Sequence, residues 1–318
     1  MNIVSTGQLR AQSISIQVST RIRCNGGCRC CISRITPNAD GIDEKIQLCD
    51  IDEDVRKGLS YATRIGATHA ILTGKAEPTQ EDYLYIYQLL EECHGVWRLI
   101  ADMHTNGFLL QPGKSKYTLD QLKAAGLDMI TFSVFHHRPE IHREITGLKV
   151  DFENLIREAV HLGLLVRCSL VLARNGVGTF DDVLRYIKYF GNLGVHMVVV
   201  RELWLPEFRA GKFNQEVYEW NHRNFIRLDD IANRFHQLAM MAHKTVAWET
   251  YPVYELAPLP WGAKVFGMEG CFDDPEHGVN ITFARCEEND RGPVLKSIVH
   301  KPNGHGYRNW DSNANILY

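Results

Sequence analysis

Residues 152–172 read FENLIREAVHL, then Gly163, then LLVRCSLVL. The first part carries apolar residues at three- and four-residue spacing, the signature of a helix with one buried face. Glycine supplies the left-handed residue that closes a helix, and the run after it is apolar and rich in β-branched side chains, as a buried strand is. The same junction occurs three more times: Gly66 before THAILT, Gly126 before LDMITFSV and Gly194 before VHMVVVREL. Two further strands complete the series, SISIQVST (13–20) and RLIADMH (98–104), the latter after a helical stretch over 80–92. DEDVRKGLSYATRI, LDQLKAA and FDDVLRYIKYF supply the other helices. Six strands alternating with helices make a parallel sheet, which right-handed crossovers curl into an open barrel or a doubly wound sheet. In either form, functional residues belong at the C-terminal ends of the strands.

The rhythm changes after Pro206. A long helical region over 214–243 precedes the strand candidate TVAWETY (245–251), a Pro- and Gly-rich segment over 252–270, and two short strands, VNITFA and KSIVH. Residues 1–206 are therefore read as the core, and 207–318 as an α+β extension packed over its mouth, with no low-complexity linker between them.

With 318 residues, 45% hydrophobic and 23% charged, the chain has material for a large core. A formal net charge of -3 gives no electrostatic footprint for a long polyanion, so nucleic acid is not an expected partner. No run of about 18 apolar residues and no basic-then-apolar start is present, so a soluble, cytoplasmic protein without a membrane partner is expected. Four of the nine cysteines fall between positions 24 and 31, and such crowding in a reducing compartment points to metal.

That crowd is Cys24-Asn-Gly-Gly-Cys28-Arg-Cys30-Cys31, directly after the first strand. Cys24, Cys28 and Cys31 have the spacing C-x3-C-x2-C. Thiolates are the preferred ligands of iron-sulfur clusters, and Gly26 and Gly27 let the backbone wrap closely. Three ligands leave the fourth iron of a four-iron cluster open, as an open position marks a catalytic zinc. A zinc site is the alternative, with Cys271 and Cys286 as a second pair; so are buried cysteines without metal, and an iron-sulfur electron carrier.

The loop resembles the signature of the radical S-adenosylmethionine (SAM) superfamily, placed as there after the first strand of a partial (β/α)6 barrel. The residue before the last cysteine, commonly aromatic in that family, is here Cys30, which leaves open which thiols bind. The resemblance implies a 4Fe-4S cluster, S-adenosyl-L-methionine as cofactor, and an external electron donor such as a flavodoxin or ferredoxin. The cluster would cleave the cofactor reductively to a 5'-deoxyadenosyl radical that takes hydrogen from a small-molecule substrate.

Further stretches carry the resemblance. Thr73-Gly74-Lys75-Ala76-Glu77-Pro78-Thr79 stands where the family has a Gly-Gly-Glu-Pro-like strand end facing the cofactor's ammonium, which makes Thr73, Gly74 and Glu77 candidates. Thr105-Asn106-Gly107 resembles the Thr-Asn-Gly after the family's third strand; as residues alone, it is also a common turn. ITFSVFHHRPEIHREITG (130–147) resembles the Ser-containing strand and Arg-x-Ile-Thr-Gly of the molybdopterin-precursor cyclase branch. Ser133 is there a candidate for the ribose or carboxylate end, with Arg143, Thr146 and Gly147 forming a loop and helix end. Arg167 is a candidate clamp for the cofactor carboxylate, Val200 (beside Val199) would lie near adenine, and Arg201 and Glu202 form a charged pair at the sixth strand's mouth. His136 and His137 also stand at a strand end, but a chain with 14 histidines makes any one weak evidence.

The cyclase of that branch acts on GTP and has a second three-cysteine cluster and a Gly-Gly end. The tail of this chain holds only Cys271 and Cys286, and it ends NILY. A single-cluster enzyme on a nucleoside, sugar or natural-product intermediate is expected, with a peptide substrate as the alternative. The tail segment Gly304-His-Gly-Tyr-Arg-Asn-Trp-Asp311 would line a pocket or pack as an aromatic strand.

Overall fold

A computed structural model describes residues 9–19, 24–35, 53–114, 116–206, 214–242, 252–285, 293–310 and 316–318. The core runs β1 (Arg10–Ser19), α1 (Ile32–Ile35), α2 (Glu53–Arg64), β2 (His69–Gly74), α3 (Tyr83–Leu90), β3 (Ile100–Thr105), α4 (Leu119–Ala124), β4 (Met129–Ser133), α5 (Pro139–Thr146), α6 (Phe152–His161), β5 (Leu165–Val171), α7 (Phe180–Gly191) and β6 (Met197–Arg201). The later elements are α8 (Gln215–Asn224), α9 (Leu228–Ala242), β7 (Val253–Leu256), β8 (Lys264–Glu269), β9 (Gly278–Ala284), β10 (Val294–His300) and β11 (Gly306–Tyr307).

The expected six strands are there, parallel and in chain order, β1 to β6. The four junction glycines all take positive φ: 96° at Gly66, 103° at Gly126, 70° at Gly163 and 89° at Gly194. That conformation costs an L-residue its Cβ clearance and costs glycine nothing. Side chains alternate across each strand. Ile14, Ile16, Val18, Leu72, Met103, Ile130, Phe132, Val166, Leu170, Val198 and Val200 face the helices and join one buried core with residues such as Leu59, Ile86, Leu122, Ile156 and Ile187. The opposite, inner face carries polar residues, Ser15, Gln17, Thr73, Asp102, His104, Thr131, Ser133, Arg167, Ser169 and Arg201, with apolar Ile71, Met129 and Val199 among them.

The residues after 206 do not stand apart from this sheet. β9 and β10 extend it in parallel at its two edges, β9 beside β6 and β10 beside β1. β8 and β7 then follow β9 antiparallel, and β11 follows β10, giving eleven strands. β9 and β10 lie where the expected VNITFA and KSIVH strands are. β7 and β8 fall in the segment expected to be irregular, and the candidate strand 245–251 lies outside the described residues. The long helix splits at residues 225–227, where Phe225 is extended with φ -62° and ψ 134°. No helix among the described residues is long and apolar enough to cross a membrane.

Candidate active site at the strand C-terminal ends

The cysteine loop is held on three sides. The Asn25 backbone N–H donates to Gln80 Oε1 at 3.3 Å, beyond β2. Asn106 Nδ2, beyond β3, donates to Asn25 Oδ1 at 2.7 Å and to Cys24 Sγ at 3.8 Å. The N–H groups of Gly27 and Arg29 donate to the carbonyls of Thr146 and Ile145, at 2.8 and 2.9 Å. The Ile-Thr-Gly stretch is thus the end of α5 on which the loop rests: Gly147 closes that helix at φ 76°, and two helix-end carbonyls that need donors find them in the loop.

Gly26 marks the centre. A Cβ there would lie 3.6 Å from Cys28 Sγ, 3.7 Å from Cys24 Sγ and 3.2 Å from Leu148 Cδ1, so two thiols flank the space in front of one glycine. Burial pushes the Cys28 thiol up to about 12, with Cys31 and Cys24 adding to it. Burial also raises Cys24, partly offset by the Gly26 N–H, while Glu77 and Cys31 raise it further. Buried thiols that keep their protons bind metal by releasing them. Cys30 differs: it packs on the apolar group of Ile145, Ala173, Leu203 and Trp220, and burial holds its thiol well above the ordinary value.

Among the described residues, no three His, Cys, Asp or Glu groups are gathered as a single ion would need. A cube of iron and sulfide puts its thiolates on separate iron atoms, so its ligands flank one space and do not converge on a point. Cys271 follows β8, whose last residue, Glu269, pairs with Gly278 at the start of β9. That is the end of the sheet opposite the loop, so Cys271 is no partner for Cys24, Cys28 or Cys31. Cys286 lies outside the described residues.

The strand ends correct several expectations. Glu77 does not present its carboxylate to the mouth. It is 3% exposed, and it accepts from Thr105 Oγ1 at 2.6 Å, Thr79 Oγ1 at 2.7 Å, Asn106 N at 2.7 Å and Thr79 N at 3.2 Å. Burial raises its pKa against these four donors. Glu77 and Thr105 are therefore the brace that fixes Asn106 against the loop. Thr73 is half-buried on the inner face and pairs with Gln17; Gly74 pairs with Ser19.

Arg167 is not free to clamp a carboxylate from solvent. Its Nη1 bonds Asp102 Oδ2 at 2.8 Å, and Asp102 also accepts from Thr131 Oγ1 at 2.8 Å and His104 Nε2 at 3.2 Å. Burial works against charge on Asp102, yet Arg167 and His104 outweigh it and hold its pKa at about 2. Burial lowers the His104 pKa against the opposing pull of Asp102. Val200 faces the helix-side core, not the mouth; its neighbour Val199 has the inner position, in register with Ser169. Arg201 Nε reaches Ser169 Oγ at 3.2 Å, while Glu202 accepts from Leu228 N at 2.9 Å, so the two do not form the expected pair. Ser133 stands half-buried on the inner face at the end of β4, opposite Ser169. His136 accepts from Arg138 N at 2.8 Å and stacks on His137 at 4.3 Å, as part of the β4–α5 turn. In the tail, Gly306 and Tyr307 form the antiparallel edge strand beyond β10, and Asp311 is not among the described residues.

Asp102 and His104 were missed in the sequence. Their signal was two polar residues at alternate positions of the strand RLIADMH. Asn25 and Gln80 gave none, since polar loop residues are ordinary.

Parallel strands that lead into a thiol-bearing mouth define an α/β enzyme fold with its chemistry at the strand C-terminal ends. The model of the Radical SAM superfamily matches residues 18–206. The chain is 28% identical to the GTP 3',8-cyclase of Aquifex aeolicus over 223 residues, 69% of this chain and 62% of that protein. It is 25% identical to a probable GTP 3',8-cyclase of Methanococcus aeolicus over 218 residues, 67% of this chain and 69% of that one. In the solved structure of Streptococcus suis SuiB bound to S-adenosylmethionine, the fold is shared with a TM-score of 0.58 at 14% identity, over 93% of this chain and 60% of that one. The chain belongs to the radical SAM superfamily, enzymes that work with a 4Fe-4S cluster and S-adenosylmethionine.

Proposed function

We propose that Cys24, Cys28 and Cys31 hold the cluster and that the enzyme acts on a small polar substrate, a nucleoside before a sugar or natural-product intermediate. The observation that carries this is the space in front of Gly26, flanked by two of the thiols on a loop tied to β2, β3 and α5. When bound, the cluster and S-adenosylmethionine supply a 5'-deoxyadenosyl radical that abstracts hydrogen. The chain's own part is positional. Asn106 and Gln80 fix the loop, the carbonyls at Thr73 and Gly74 accept from the cofactor's ammonium, and Ser133 bonds its ribose or carboxylate end.

The nucleoside reading is supported by relatives named GTP 3',8-cyclase. The distance of Cys271 from the mouth speaks against a second cluster there, and so against the cyclase itself. An external donor such as a flavodoxin or ferredoxin reaches the loop from outside, at a depression of about 550 Å³ lined by Gly27, Arg29, Arg143 and Gly147 with Glu140 and Glu144. Its two arginines are matched by two glutamates, so it carries no net charge and suits a small, transient contact.

The test is anaerobic reconstitution, reduction with dithionite and assay of S-adenosylmethionine cleavage. 5'-Deoxyadenosine and methionine in equal amounts are expected, with more formed in the presence of guanosine than without it. Intact cofactor after reduction of a loaded cluster contradicts the reading.

A further inference from the structure

The inner face of β1 presents Ser13, Ser15 and Gln17 in succession towards the mouth. The two serines are satisfied by the neighbouring strand: Ser13 Oγ donates to the Lys296 carbonyl at 2.8 Å, and Ser15 Oγ bonds Ser297 Oγ at 2.7 Å. Gln17 is not. It is 2% exposed, and among the described residues neither its Oε1 nor its Nε2 has a hydrogen-bond partner. A buried amide left with both groups unpaired costs about 1–3 kcal/mol for each, so the position is unfavourable unless something fills it.

Register places Gln17 beside Thr73 of β2, one strand from the Asp102, His104, Thr131 and Arg167 network, and on the same face. The cations named on that face are already engaged, Arg167 by Asp102 and Arg201 by Ser169. Lys301, fully buried one residue past β10 and level with Gln17, lies over the Tyr307 ring at 4.6 Å, and what Gln17 itself adds beside it is a neutral amide with donor and acceptor in one plane. Its complement is another planar donor–acceptor edge, as in an amide or the lactam of a nucleobase.

We propose that Gln17 reads the substrate by paired hydrogen bonds to a neutral lactam or amide edge. This rests on the nucleoside reading and deepens it: Gln17 touches substrate, and the base rather than a phosphate is what it selects. The same edge-to-edge pairing is not available to the cofactor's methionine end, which carries an ammonium and a carboxylate.

The experiment uses the full chain, reconstituted and saturated with S-adenosylmethionine, and compares wild type with Gln17→Leu and Gln17→Glu, with guanosine as the probe. Guanosine should bind wild type and bind Gln17→Leu about 10- to 100-fold more weakly, the loss of two hydrogen bonds to a neutral ligand. Gln17→Glu, which keeps an acceptor but lacks the donor, should also be weakened. Affinity for S-adenosylmethionine should stay within about twofold in every variant, because a ligand that does not touch Gln17 does not feel its loss. Without guanosine, Gln17→Leu should melt at a higher temperature than wild type, since it removes two unpaired polar groups from a buried site.

Equal guanosine affinity in wild type and Gln17→Leu, or no guanosine binding by wild type, overturns the assignment. So does a parallel loss of cofactor affinity, which makes the cofactor the partner, or a melting point that is unchanged or lower, which makes a bound water or the fold itself the partner. Cofactor cleavage by wild type without guanosine reports on the radical SAM reading separately: if it persists while the Gln17 arms are flat, only this inference falls.

Discussion

Asp102 is 1% exposed and accepts three hydrogen bonds, with Arg167 as the cationic partner. Removing one member of such a pair strands the other, so Asp102→Asn should lower stability by about 3 kcal/mol in urea unfolding. Asp102→Asn with Arg167→Met should recover much of that loss, because neither charge is then left alone. The pH dependence has a definite sign. The folded carboxyl is held at about 2, below its ordinary 3.8, so its contribution is complete above about 4 and disappears as pH falls towards 2. Wild type and Asp102→Asn should therefore differ at neutral pH and converge in that acid window; a difference that grows as pH falls contradicts the pairing. Legibility was mixed at this scale. The motifs placed Thr73 and Glu77 at the end of β2 and Thr105 and Asn106 at the end of β3, but not which side chains face the mouth. Glu77 turns inward because four donors on its own and the next strand end outbid solvent, and spacing alone does not encode that.

Single elements were the most readable feature, because the physics that closes a helix is local. The four junction glycines foretold αβ boundaries through the left-handed conformation alone. Gly163 isolates that effect, since nothing lies within 4 Å of where its Cβ would be. Gly163→Ala should cost about 1–2 kcal/mol in denaturant unfolding from backbone strain. Gly126→Ala should cost more, since its Cβ would also come within 3.1 Å of His94 Cβ. Equal losses would mean that the contact at Gly126 relaxes freely. β7 and β8 were hidden because short strands such as Val253–Leu256 show little alternation, and Pro252 and Gly270 beside them read as turns. Their pairing is antiparallel and depends on β9, a neighbour that no local pattern announces.

At the scale of the molecule, the sheet continues past the six-stranded core on both sides, with β10 against β1 and β9 against β6. This puts the later third of the chain where it shapes the site. β10 satisfies Ser13 and Ser15, while α8 touches α1 next to the cysteine loop through Asn214 N to the Ile35 carbonyl at 3.3 Å. Sequence order could not show the β1–β10 pairing, since its partners are more than 280 residues apart, as with Ser13 and Lys296. The same arrangement accounts for the place of Cys30, which packs beside Trp220 of α8.

The assertion beneath all of this is that three thiols bind a four-iron cluster and leave one iron for S-adenosylmethionine. The direct measurement is the electron paramagnetic resonance spectrum of the reduced, reconstituted Cys30→Ala protein before and after adding S-adenosylmethionine. A reduced four-iron signal that shifts on addition of the cofactor is predicted. A Cys30→Ala protein that takes up no cluster, or one whose signal ignores the cofactor, contradicts the account.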